Sequence, residues 1–185
     1  LGVFYGLQLE IADDHNSLKL AASYAHNNPA GGGTHSEDLW VDGTGNVGWQ
    51  GWTFSKDYTA SGGLGEIIKD TWTHVVFVYN SATKVGTAYI NGEKAKEQDF
   101  DNWPAGDNKT FTTGLQYRGV APEVVNELAL GFIQSRAGTL WDAEPWGGYD
   151  LESSKHFYGL MDDLIIYHKA LTQSEITSMY NSGKP

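Results

Sequence analysis

The sequence predicts an all-β chain, a sandwich or jelly roll, with one short C-terminal helix. Short runs rich in β-branched and aromatic residues alternate with turn residues, 23 Gly against 5 Pro in 185 positions. Asn91-Gly92 lies between two such runs, the strongest short hairpin signal. Only the segment after Thr172 has a convincing helical period.

Along the chain, Phe4, Gly6, Gln8 and Glu10 alternate with Tyr5, Leu7, Leu9 and Ile11. Asp13 to Asn16 is a turn and Ser17 to Tyr24 a return strand, so this is a hairpin. His26 to Asp38 reads as a polar, glycine-rich loop, and Leu39 to Gly65 as short strands and long loops. Trp72 to Tyr79 is a strand apolar on both faces, which predicts a central position and makes Trp72 a core residue. Asn80 to Val85 turns the chain, Gly86 to Ile90 runs back, and Glu93 to Lys96 follows the hairpin turn. Asp99 to Gly119 is polar and loop-rich, Leu128 to Gln134 is a strand, and Ser135 to Lys155 is a long insertion. From Met161 to Tyr167 the pattern again alternates and places Asp162 with Leu164 and Ile166, on the face expected to be buried. A carboxylate there needs a metal, a cation or several hydrogen bonds. Thr172-x-x-Glu175 forms a capping box for the final helix, with Ile176, Met179 and Tyr180 on its apolar side.

The length suits one domain with a sizeable core. The net charge of -11 argues against nucleic acid and anionic membrane surfaces. With no cysteine there is neither a disulfide nor a thiol for chemistry. No apolar run is long enough to cross a membrane. The chain lacks an initiator Met and a signal peptide, and reads as a processed chain or a fragment.

Two stretches carry a resemblance. Trp72-Thr-His-Val-Val-Phe-Val-Tyr79, followed by Thr87-Ala-Tyr-Ile-Asn-Gly-Glu93, is similar to the W-x-H-V-A-x-x-Y … L-Y-V-N-G hairpin of laminin-G-like domains in the concanavalin A-like lectin/glucanase superfamily. Phe157 to Ile176 resembles that family's closing F-x-G-x-I-D-D-V-x-I-Y-x-R-A-L-S-x-x-E-I. Order and spacing agree over roughly Gly6 to Gly183. The resemblance implies a two-sheet antiparallel jelly-roll sandwich of the concanavalin A-like type, as a single laminin-G-like domain over residues 1–185, in the bacterial surface and polysaccharide-utilisation branch. It also implies that Leu1 enters in mid-domain, with the first strands missing or held in a larger protein.

The chemistry-bearing groups follow from residue types and from this resemblance. In related jelly rolls the acid of the closing strand helps to hold a structural calcium, so Asp162 is the metal candidate; calcium takes six to eight oxygens. The alternative is an acid hydrogen-bonded to backbone amides or paired with a cation. Trp49, Trp52, Trp103, Trp141, Trp146 and Tyr149 lie in glycine-rich stretches, as does Trp40. Sugars stack their C–H faces on such rings, and Asp142 and Glu144 supply hydroxyl partners beside Trp141 and Trp146. The bland alternative is that these rings cover a core edge. Asp142-x-Glu144 is the nearest approach to a glucanase-type pair and lacks its third acid, so no catalytic residue is assigned. His26 and His35 could meet across one loop with Glu37 and Asp38, a zinc geometry or simply a polar loop.

The expected function is non-catalytic glycan binding by a module of a bacterial cell-surface lipoprotein or polysaccharide-utilisation system. Its partners would be a polysaccharide or oligosaccharide and other subunits of a surface glycan-uptake complex, and its place extracellular or at the outer-membrane surface. The alternatives are a structural or protein-docking module and an accessory domain of a glycoside hydrolase.

Overall fold

The fold is described from a computed structural model, over residues 8–11, 20–27, 34–48, 51–114 and 159–183. The chain divides into two compact units, Leu1–Gly2 with Tyr117–Ile166, and Val3–Gln116 with Tyr167–Pro185. The predicted strand Leu128 to Gln134 and the insertion Ser135 to Lys155 lie outside the described residues.

Among the described residues, the second unit holds two four-stranded antiparallel sheets. Strands β1 (Gln8–Ile11), β2 (Leu20–Asn27) and β3 (Thr34–Val41) pair in that order. The other sheet runs β4-β7-β6-β5, with β4 Trp52–Ser55, β5 Val75–Asn80, β6 Val85–Ile90 and β7 Glu93–Asp99. Strand β8 (Thr112–Gly114), the last among the described residues, pairs with β2. The predicted first hairpin is present, with Gln8 opposite Ser23 and Ile11 opposite Leu20. The region read as a loop from His26 to Asp38 is shorter than expected, because β2 runs on to Asn27 and β3 begins at Thr34. Neither run is apolar enough to declare itself by pattern; the ladder organises them. Trp40, read as a loop aromatic, lies within β3.

Alternation explains how the second sheet serves two clusters. Ala88 and Ile90 of β6 and Ala95 of β7 pack with Leu39 and Val41 of β3, together with Tyr58, Leu64 and Phe100; Phe77 and Tyr79 lie against them. Tyr89, between Ala88 and Ile90, belongs to a separate cluster with Leu171 and Ile176, against which Val76, Val78 and Met179 pack. The first cluster joins the two sheets. The second seats helix α2 (Gln173–Gly183) on the opposite face of β5 and β6.

The capping box forms as read. Glu175 Oε2 accepts from the Thr172 amide at 2.8 Å, and the Glu175 amide donates to Thr172 Oγ1 at 3.3 Å. Asn91 and Gly92 adopt φ of 51° and 77° in the β6–β7 turn. Helix α1 (Leu64–Ile68) was not expected. It is five residues long and has no side-chain cap; Leu64, Ile67 and Ile68 hold it through packing on the core.

Three expectations are corrected. First, β5 is an edge strand among the described residues, pairing with β6 alone. Second, Trp72 is 53 % exposed. It precedes Val75, the first residue of the β5–β6 ladder, so no cross-strand pair holds it inward. Third, residues 161–167 form no strand, and Leu164 and Ile166 are exposed. Asp163 takes a left-handed φ of 51°, which interrupts an extended pleat, and Asp162 Oδ1 accepts from its amide at 2.9 Å. Asp162 is therefore an exposed residue of an irregular segment rather than a buried strand residue.

Candidate functional site

Two of the predicted ligand residues, Trp52 and Trp103, come together at the start of β4 and the end of β7. Gly51 makes this possible. It is buried at φ 83°, and a Cβ placed on it would stand 2.7 Å from Trp103 Nε1, 2.9 Å from the Asp99 carbonyl oxygen and 3.3 Å from Gln98 Cγ. Only glycine leaves room for the indole at this left-handed position. The Gly51 carbonyl accepts from the Asp99 amide at 2.6 Å, which ties the loop before β4 to the end of β7. Asp99 in turn caps the short 3-10 turn Phe100–Asn102 through its carboxylate, delivering the chain to Trp103.

Gln98 lies opposite Trp52 and Lys96 opposite Ser55 in the β4–β7 ladder, so these four share one face. That face is polar. Gln98 and Lys96 are both fully buried. The Lys96 ammonium donates to the Asn46 carbonyl at 3.1 Å and stands 3.5 Å from the centroid of the Trp52 ring. Burial pushes its pKa down, and Asp42 opposes that effect. Lys109 lies 4.3 Å from the Trp103 centroid. Each indole is thus half-buried with one face under an ammonium. Several buried polar atoms have no hydrogen-bond partner in the protein: both amide atoms of Gln98, Trp103 Nε1, Ser55 Oγ and the Tyr58 hydroxyl. Burial, helped by Glu93, raises the Tyr58 pKa to about 12, so this hydroxyl stays protonated.

Around β4 and β7, acids and lysines also neutralise one another. Lys94 pairs with Glu97, and Lys56 with Glu93. Burial would raise the Glu97 pKa, but hydrogen bonds from Lys94 and Thr53 hold it below its usual value.

The other predicted site residues are placed as follows. Trp49, Trp141, Asp142, Glu144, Trp146 and Tyr149 lie outside the described residues. His26 and His35 are direct register partners across β2 and β3, so they meet within a ladder and not across a loop. Asp162 is exposed, its Oδ1 accepts from the Asp163 amide, and among the described residues no group of three or more His, Cys, Asp or Glu is arranged to hold a metal. Sequence reasoning missed Gln98. The run Glu93-Lys-Ala-Lys-Glu-Gln-Asp99 has one apolar residue, so its pattern placed the whole strand in solvent; only its parity with Lys96 hinted at a shared face.

The fold and this polar, aromatic-flanked edge define an all-β domain with paired antiparallel sheets and a C-terminal helix. Residues 15–124 match the family model described as Concanavalin A-like lectin/glucanases superfamily, of laminin-G type, and the chain belongs to that family. No relative is found among curated proteins. Among solved structures, an S-layer domain-containing protein (residues 221–444) from Clostridium thermocellum ATCC 27405 is similar at 14 % identity and a TM-score of 0.38. The match covers 96 % of this chain and 64 % of that one, so the chain spans less than two thirds of its length. No described helix is long and apolar enough to cross a membrane.

Proposed function

We propose that the domain binds neutral glycans without catalysis, as a module of an extracellular or outer-membrane surface protein. The observation that carries this reading is the gathering of Trp52 and Trp103, both half-buried, around Gly51 beside a buried polar face. Sugars pair apolar C–H faces with hydroxyl edges, and this edge offers indole rings together with amide and indole N–H groups. Stacking would use the ring faces opposite Lys96 and Lys109. The test is tryptophan fluorescence of the full chain against a panel of neutral polysaccharides. At least one should quench or shift emission, and Trp103→Ala should weaken it; a panel with no response sinks the reading.

A second reading, a protein-docking module, is favoured by one observation. Leu160, Met161, Leu164, Ile165 and Ile166 are 79 %, 52 %, 47 %, 57 % and 59 % exposed, an apolar run of the kind that marks interaction sites. Concentration-dependent self-association abolished by Ile165→Lys would support docking to a second copy. A monomer at all concentrations would count against that partner.

A further inference from the structure

We propose that His74 is an acid-sensitive latch for helix α2: a proton on its ring releases the helix from the β5–β6 face while the two sheets stay folded. The latch is separate from the glycan reading and needs no ligand.

The geometry comes first. Alternation sets His74, Val76 and Val78 in one row. Val76 and Val78 pack with the cluster that seats α2, so His74 stands at the end of the row that the helix covers. Its backbone is fixed on both sides. The amide donates to Asn91 Oδ1 at 3.1 Å, and the carbonyl accepts from the Asn91 amide at 2.8 Å. Its ring centroid lies 5.9 Å from that of Tyr180, with the planes tilted by 32°. The β6–β7 turn holds the same stripe of the helix. The Gly92 carbonyl accepts from Gln173 Nε2 at 2.7 Å and from Thr177 Oγ1 at 2.8 Å. A Cβ on Gly92 would stand 3.0 Å from Tyr180 Cβ. Gln173, Thr177 and Tyr180 follow one another at helical spacing, so one stripe of α2 lies along the hairpin tip with the imidazole at its far end.

The chemistry follows from Nδ1, which is buried without a partner. A neutral ring tolerates this, with its proton on Nε2 and a bare lone pair at Nδ1. A second proton turns Nδ1 into a charged donor with no acceptor. The surrounding groups do not relieve that charge. The one acid of α2, Glu175, is bonded to Lys169 and Thr172, and the other titratable group of the helix is Tyr180 itself. The hairpin tip brings Asn91 and Gly92, then Glu93, which is paired with Lys56. Strand β6 brings Tyr89, whose phenol burial keeps protonated. Lys69 and Asp70, earlier in the segment that leads to His74, are exposed. Burial is the cause of the lowered His74 pKa. Release of α2 opens the ring to water and removes the penalty. An apolar residue here would pack as Val76 and Val78 do at any pH; histidine makes the docking conditional. Docking is therefore at full strength above about pH 6.5, weakens as pH falls towards the lowered value, and levels off below it. The proton taken up on release raises the opening of α2 by at most about tenfold per pH unit. Glu175 acts in a lower window, below 4.5.

The experiment is amide hydrogen exchange of the 15N-labelled full chain between about pH 7.5 and about pH 5, corrected for the intrinsic pH dependence of exchange. The amides of Thr177, Met179 and Tyr180 report on α2, and those of Ala88 and Tyr89 on the sheet. Below about pH 6.5 the α2 amides should open more often, by up to about tenfold per unit, while the sheet amides keep their protection. In His74→Phe, which keeps a ring against Tyr180, the α2 opening should not vary over this range. His74→Gln, neutral at every pH, serves as the second variant should His74→Phe not fold, with the same expected result. An α2 opening that does not change with pH in the natural chain overturns the latch. So does an equal rise in the α2 and sheet amides, which is global unfolding, or a rise that persists in the His74 variants, which assigns the proton to another group. None of these outcomes bears on the glycan reading.

Discussion

His74 is half-buried at the start of β5, with its ring centroid 5.9 Å from that of Tyr180 in α2 and its Nδ1 buried without a partner. Burial disfavours the imidazolium and holds the pKa below the usual 6.5. The unfolded chain therefore takes up this proton first as pH falls. The stability tied to the neutral ring is complete above about pH 6.5 and is lost as pH falls through the depressed folded value. Unfolding curves between about pH 8 and pH 5 should show a steeper loss for the natural chain than for His74→Phe; parallel curves would mean that His74 does not couple to folding. Gly92 gives a second residue-scale expectation. At φ 77°, a Cβ there would stand 3.0 Å from Cβ and Cδ1 of Tyr180. Gly92→Ala should lower stability by about 1–2 kcal/mol in urea titration, because strain and displacement of α2 add.

At the scale of elements, α2 is the one most legible in the sequence. Its start is written in Thr172 and Glu175, and its seat in Ile176, which is fully buried. Thr172→Ala should cost about 1 kcal/mol, measured by thermal unfolding. Glu175 carries a pH signature. Hydrogen bonds from Lys169 and Thr172 lower its pKa from 4.5 to about 2. Its contribution is present above pH 4.5 and is lost as pH falls through about 2, so the helical signal should decline over that window and less so in Glu175→Gln. The β6–β7 hairpin was equally legible, since Asn91 and Gly92 meet the demand for positive φ locally. Helix α1 and strand β3 were not. Both are held by burial of Leu64 and Leu39 against distant partners, and no local period announces that.

At the scale of the molecule, Leu39 and Phe100 are both fully buried where the two sheets meet. Leu39 lies in β3 of one sheet and Phe100 in the 3-10 turn that follows β7 of the other, so their removal should weaken the packing of one sheet on the other. Leu39→Ala should cost about 2–5 kcal/mol and Phe100→Ala about 3–5 kcal/mol by denaturant unfolding. A loss below about 1 kcal/mol for both would mean that the sheets do not depend on this cluster. The Tyr79 hydroxyl adds a polar tie between the sheets. It donates to the Thr112 carbonyl at 2.6 Å, and burial with Asp101 nearby raises its pKa to about 12.

The amino-acid sequence by itself determined the class of fold, the family, the hairpin turns and the last helix. Each of these is encoded by residues close together in the chain: alternation, positive-φ turn residues and a capping box. Only the tertiary structure decided which residues share an enclosed face. Gln98 and Trp103 come together because β7 pairs with β4 and Gly51 leaves space for an indole. Asp162, which the pattern placed inside, lies in an exposed irregular segment, because alternation marks which residues share a face of a strand but not whether anything covers that face. Burial depends on partners far away in sequence, and that is the information a linear pattern lacks.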